Sequence, residues 1–188
     1  MKNESVRKIT GIAILIALEI VLAVVSLFWK IGPFVINLAL IPVALCAIMY
    51  GPWAGALIGL VNGAFFLIFD SAAFFSVAPV GTVFTCLLKC TIAGMVSGLV
   101  YKLLSKKNEL FAVILASLLV PLLNTGVFVL ASFTIVAEAV RNLVPEGANL
   151  YRFYFLVIIG WNFIFEFAVT AALSTTIYKI ITIVRKDQ

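Results

Sequence analysis

ITGIAILIALEIVLAVVSLFW, residues 9–29, holds a single charged side chain, Glu19. A spanning helix needs about 20 consecutive, mostly apolar residues, and this run supplies them. Lys2, Arg7 and Lys8 stand before it, much as basic residues open a signal peptide. The run is long enough to span, however, and further spans follow, so it reads as a retained helix. Outward from it, apolar runs recur at roughly 34–50, 52–70, 79–104, 109–137 and 151–184. The second is short, and Gly51-Pro52 separates it from the third. The last two are long enough to tilt or to project beyond the hydrocarbon.

Composition agrees with that reading. Of 188 residues, 64% are hydrophobic and 11% charged, and the mean hydropathy is +1.24. A soluble domain carries about 25% charged residues, so this chain cannot cover a water-facing surface and its solvent is lipid. The expectation is an all-α membrane protein, one integral domain over 1–188, with six transmembrane helices.

Charge placement sets the orientation. Lys2, Arg7, Lys8, Lys102, Lys106, Lys107, Lys179, Arg185 and Lys186 fall at one side of a six-span chain, and Lys30, Arg141 and Arg152 at the other. Basic residues gather on the cytoplasmic side, so both termini are expected in the cytoplasm. Each basic group flanks an apolar run, which explains the net charge of +5 without nucleic acid. The external links are expected to be a tight turn at Lys30-Ile31-Gly32-Pro33, a segment from Asp70 to Pro79 that dips into the interface, and a polar loop from Glu138 to Tyr151. The last is long enough to act as a lid over an external cavity.

Several chemistries are excluded. There is no histidine, so neither a Ser-His protease nor an HExxH zinc site is available. Cys46, Cys86 and Cys90 lie in apolar runs and read as packing residues. No GxxxxGK[ST] phosphate loop occurs. No catalytic residue, metal or cofactor is expected.

Two rows of small residues suggest close helix contact. Gly51, Gly55, Gly59 and Gly63 recur every four positions, so another backbone can approach them closely in lipid. Packing within the fold is the first reading and contact with a partner subunit the second. Ala13 and Ala17 form a shorter small-xxx-small pair on the first helix.

Polar side chains inside spans are costly and functional by default. Thr82, Thr85 and Lys89 share a face of the fourth helix. Asn124, Phe128 and Ser132 form a row on the fifth, and Asn162, Glu166, Thr170 and Ser174 one on the sixth. At ~1.5 Å of rise per residue, Lys89, Asn124 and Asn162 each lie roughly 15–20 Å from the external ends. Polar groups of three helices at one depth point to a pocket open to the outside; interhelical hydrogen bonding is the alternative. The substrate-contacting set is expected to be Lys89, Asn124, Asn162 and Glu166, with Thr85, Phe128 and Ser132 lining. Lys89 either pairs with Glu19 or Glu166 or receives a substrate carboxylate.

The chain resembles the substrate-binding S components of energy-coupling factor (ECF) vitamin transporters. The resemblance runs over nearly its whole length: Ala13-xxx-Ala17, Ile41-Pro42-Val43 leading to Tyr50-Gly51-Pro52-Trp53-Ala54-Gly55-Ala56, Leu88-Lys89-Cys90-Thr91-Ile92-Ala93-Gly94 and Pro121-Leu122-Leu123-Asn124-Thr125-Gly126-Val127-Phe128. It implies a six-helix S-component fold in the bacterial plasma membrane that captures a vitamin or precursor from outside. It also implies a transmembrane T component and two cytoplasmic ATPases as partners, with Ala13 and Ala17 facing the T component, and a subunit that topples to release its cargo. Thiamine-type tryptophan-rich helices and a riboflavin-type Asn-Tyr-xx-Ala run are missing, and Lys89 favours a carboxylate-bearing vitamin such as pantothenate or folate. A stand-alone secondary carrier or channel, or a scaffold without ligand, are the alternatives.

Overall fold

The computed structural model of the chain describes residues 2–31, 34–145, 147–153, 156 and 160–186. Six long or apolar helices carry the architecture: α1 (Lys2–Ser26), α2 (Leu40–Tyr50), α3 (Pro52–Phe69), α5 (Pro79–Leu104), α6 (Glu109–Ser132) and α9 (Trp161–Lys186). Three short ones sit in connections: α4 (Ala72–Phe75), α7 (Ala137–Asn142) and α8 (Leu150–Phe153). Five of the six are long and apolar enough to cross a membrane, and α2 is a shorter apolar helix. Large apolar side chains such as Ile14, Val21, Phe84, Leu130 and Ile164 point outward. Such a surface suits lipid, where helices satisfy their own backbone groups. The chain is a multi-pass, all-α membrane protein.

The second span differs from the run expected over 34–50. Lys30–Ile31 (β1) and Phe34–Val35 (β2) pair antiparallel, Lys30 opposite Val35, and helix begins only at Leu40. Local hydrogen bonding explains the delay. Asn37 Oδ1 accepts the Ala39 N–H at 3.1 Å, and Ser26 Oγ accepts the Leu38 N–H at 2.9 Å, holding the chain extended until α2 starts. Of the expected turn at 30–33, Gly32 and Pro33 lie outside the described residues. α2 is buried from Pro42 through Ile48, which makes it the central helix rather than a lipid-facing one.

Punctuation is local. Gly51 closes α2 at φ +94°, a conformation that glycine adopts without steric cost, and Pro52 opens α3, where its missing N–H costs no hydrogen bond. Pro79 opens α5 in the same way. Asn108 caps α6 by accepting the Phe111 N–H at 3.0 Å. The fifth span ends at Ser132 rather than 137, because Val136 N–H turns back to the Ala131 carbonyl and α7 follows. In the expected sixth span of 151–184, residues 154, 155 and 157–159 lie outside the described set, and the long described helix begins at Trp161.

α3 packs most extensively on α5, and the glycine row is the reason. A Cβ at Gly55, Gly59 or Gly63 would lie 2.4, 2.2 or 2.3 Å from the carbonyl oxygens of Gly94, Cys90 and Cys86. The two backbones therefore touch at three successive turns, within the fold rather than toward a partner. Gly51 does not share that contact, having open space around it.

The main core joins α2 to Leu15, Ile58, Ala93, Val113, Val120, Ile177 and Ile181. Two smaller clusters sit at the end where the β-hairpin, α4 and α7 gather. One contains Ala23, Ala39 and Phe66 with Val35 against them; the other contains Ala131, Val136 and Val140 with Phe74 and Phe128.

Candidate functional site

Between those two small clusters lies a cavity with about 670 Å³ of empty space counted out to its mouth. Val35 and Phe66 from one cluster and Phe74, Phe128 and Val136 from the other form its apolar walls. The hairpin places Val35 and Asn37, α3 ends at Asp70 and Ser71 beside it, and α5, α6 and α9 contribute Lys89, Asn124 and Glu166. A second lobe of about 400 Å³ adjoins it, shares Val35, Lys89, Asn124, Phe128 and Glu166, and adds Thr125 and Asn162.

Of the residues expected from sequence, Lys89, Asn124, Asn162, Glu166, Thr85 and Phe128 all line one lobe or the other. Ser132 lines neither; it is buried and donates to the Val129 carbonyl at 2.7 Å. Thr170 and Ser174, further along α9, are also buried and donate to carbonyls of their own helix. Ala13 and Ala17 are exposed on the outer face of α1.

Lys89 makes no ion pair with Glu19 or Glu166 among the described residues. Its Nζ stands 5.5 Å from the centre of the Phe128 ring, within the range of cation–π attraction. Phe74 meets Phe128 edge to face at 5.9 Å. Asp70, at the mouth, is neutralised by Lys30, which ties the end of α3 to the hairpin.

Below the cavity runs a buried polar network. Asn62 Nδ2 donates to Glu19 Oε1 at 2.7 Å, Asn37 Nδ2 donates to Asn62 Oδ1 at 2.9 Å, and the Asn37 N–H donates to Glu166 Oε1 at 2.9 Å. The Cys90 thiol sits between Asn62 Oδ1 and Asn124 Oδ1, at 3.1 and 3.2 Å; its one proton serves either. These bonds join α1, the hairpin return, α3, α5, α6 and α9. Glu19 is therefore committed to the network and not to Lys89.

Asn37 and Asn62 are missing from the sequence-derived set. Asn62 was findable, being the one amide inside an apolar helix (α3) otherwise read for its glycines; intramembrane polar residues are functional candidates. Asn37 carried no signal, because its role depends on a hairpin that brings the loop back over α9.

The hydrogen-bonding capacity left over defines what the cavity can hold. Thr82 and Thr85 spend their hydroxyl protons on the Ala78 and Gly81 carbonyls. Donors without a hydrogen-bond partner among the described residues are Lys89 Nζ, Asn124 Nδ2 and Asn162 Nδ2. The acceptors are Asn162 Oδ1 and Glu166 Oε2. An aromatic wall, one cation, two amides and one carboxylate suit a small polar organic molecule with an apolar face.

A family described as "ECF transporter, substrate-specific component" matches residues 7–182. No curated relative and no solved structure matches the chain.

Proposed function

The chain belongs to the substrate-specific components of ECF transporters, and we propose that it captures a carboxylate-bearing vitamin or vitamin precursor, such as pantothenate or folate. As a membrane-embedded substrate-binding subunit it has to hold its ligand without covalent chemistry, through fit and hydrogen bonding alone. One observation carries the finer reading. Lys89 makes no direct ion pair among the described residues, yet it lines both lobes of the cavity beside Phe128 and Glu166. Glu166 acts on Lys89 only through space, without a direct ion pair; an intramembrane cation so incompletely paired is costly, and a ligand carboxylate supplies the direct contact.

Uptake in this proposal runs from the exterior, where positive-inside orientation puts the hairpin, α4 and α7. The ligand fills the cavity, Lys89 takes its carboxylate, and Phe74 and Phe128 cover its apolar part. A T component and two ATPases then supply the energy, with Ala13 and Ala17 of α1 against the T component, and the loaded subunit topples to release its cargo in a bacterial cytoplasm. The test is uptake of labelled vitamin by cells expressing this chain with and without a T component and ATPases. Accumulation that needs all of them, and fails when the ATPases carry a dead phosphate loop, supports the proposal. Uptake by this chain alone would identify a secondary carrier or channel instead.

A further inference from the structure

Asn162 is 6% exposed, and neither its Nδ2 nor its Oδ1 has a hydrogen-bond partner among the described residues. Buried amides are almost always paired, and each orphaned polar atom costs about 1–3 kcal/mol. Two such atoms on one side chain have no structural use, since a leucine there would pack without that cost. The side chain lines the second lobe with Lys89, Asn124 and Glu166.

We propose that Asn162 reads a cyclic amide edge on the substrate, a ring N–H next to a ring C=O, while Lys89 takes an acidic group elsewhere on the same molecule. This rests on the reading of the chain as an uptake subunit and narrows its substrate class. A side-chain amide presents one N–H and one C=O side by side. A lactam, cyclic urea or pyrimidinone presents the complementary pair on one edge, so two parallel hydrogen bonds form. An open-chain secondary amide is trans, with its N–H and C=O on opposite edges, and satisfies only one of the two. Glu166 Oε2 adds an acceptor for a further N–H, and Asn124 Nδ2 a donor for a further carbonyl or ring nitrogen. Phe74 and Phe128 offer an edge-to-face pair against which a flat ring packs. The inference therefore separates two vitamins that share a carboxylate: folate has a cyclic amide edge and pantothenate has an open-chain amide.

The experiment is calorimetric titration of the purified full chain with folate, biotin, pantothenate and nicotinate, alongside its melting without ligand. Folate and biotin carry a carboxylate with a cyclic amide or urea. Pantothenate and nicotinate carry the carboxylate without it. Folate or biotin should bind at least about tenfold more tightly than the other two. Asn162→Leu should weaken that binding about tenfold or more, while the ligand-free variant melts at the same or a higher temperature. Asn162→Asp, which keeps the shape but loses the donor, should weaken it as well. Preferred binding of pantothenate or nicotinate would overturn the cyclic-amide inference and leave the uptake reading standing. Binding of none of the four would count against both. Undiminished affinity in Asn162→Leu, or a lower melting temperature of that variant without ligand, would make Asn162 a packing residue and end the proposal.

Discussion

The side-chain amide of Asn62 donates a 2.7 Å hydrogen bond to Oε1 of Glu19, joining α3 to α1 at a point where Glu19 has no exposed surface. The other carboxyl oxygen, Oε2, is buried with no hydrogen-bond partner among the described residues. Asn62 is thus the donor that makes a carboxyl group tolerable there. Its Oδ1 also receives the Asn37 amide, which leads on to Glu166. Replacing Asn62 with leucine should destabilise the protein by about 1–3 kcal/mol or more, since it strips partners from several buried groups at once. Glu19→Gln keeps an acceptor for Asn62 and should melt close to the parent. Thermal unfolding of the two purified variants checks this; equal melting temperatures for Asn62→Leu and the parent would show that the network adds no stability.

Glycine spacing on α3 makes a second, independent prediction. A Cβ at Gly59 would sit 2.2 Å from the Cys90 carbonyl oxygen, and a backbone oxygen cannot step aside as a flexible side chain can. Gly59→Ala should therefore push α3 from α5 and cost about 1–3 kcal/mol, the usual range for overpacking. Gly126→Ala is the control, because no atom of the described residues lies within 4 Å of a Cβ there. Melting of both variants in detergent reads the difference.

How far the sequence carries the fold depends on whether a feature is periodic. The α3 glycines and the polar rows on α5, α6 and α9 repeat at helical spacing, and rows of that kind do meet in the structure. Lys89, Asn124, Asn162 and Glu166 were legible because each is a polar group in an apolar run. A turn was expected at 30–33, but the strands at 30–31 and 34–35 were not legible, since two-residue strands leave no alternation to read. Asn37 was therefore hidden, and so was the late start of α2. Ser132 follows Asn124 and Phe128 by helical period, yet α6 ends at that residue. Periodicity does not say where a cavity stops.

Orientation is the third prediction. Nine basic residues against three put the termini and the Lys102–Lys107 link inside. A single cysteine at Gly147, in a background freed of the native cysteines, should react with an impermeant maleimide added to intact cells. One at Lys106 should react only after the membrane is opened. The reverse pattern would place the cavity mouth in the cytoplasm.

The outer face of α1 supplies the fourth. Ala13 and Ala17 are exposed among larger apolar side chains such as Ile9, Ile14 and Leu18. Close helix approach in lipid depends on small residues. Ala13→Leu and Ala17→Leu should therefore lower transport by the assembled complex while the isolated subunit binds ligand as before. A parallel loss of binding would mean that the two alanines support the fold.

Lys89 decides the substrate's charge. Its Nζ stands over the Phe128 ring and beside Asn124 and Glu166, with no ion pair to either buried carboxylate among the described residues. Lys89→Met removes the charge and keeps most of the volume, so the walls of the cavity should hold their shape. If the ammonium takes a ligand carboxylate, its loss removes a charge-assisted hydrogen bond, and affinity should fall by about 10- to 150-fold. The ligand-free protein should be no less stable, since a costly intramembrane cation without a direct ion pair has been taken away. Calorimetric titration with the bound vitamin and with its methyl ester separates the causes. The ester should bind parent and variant about equally, because the contact at issue is the carboxylate. A variant that binds the acid like the parent but melts lower would make Lys89 a structural cation, and the cavity would then select its ligand without reading a negative charge.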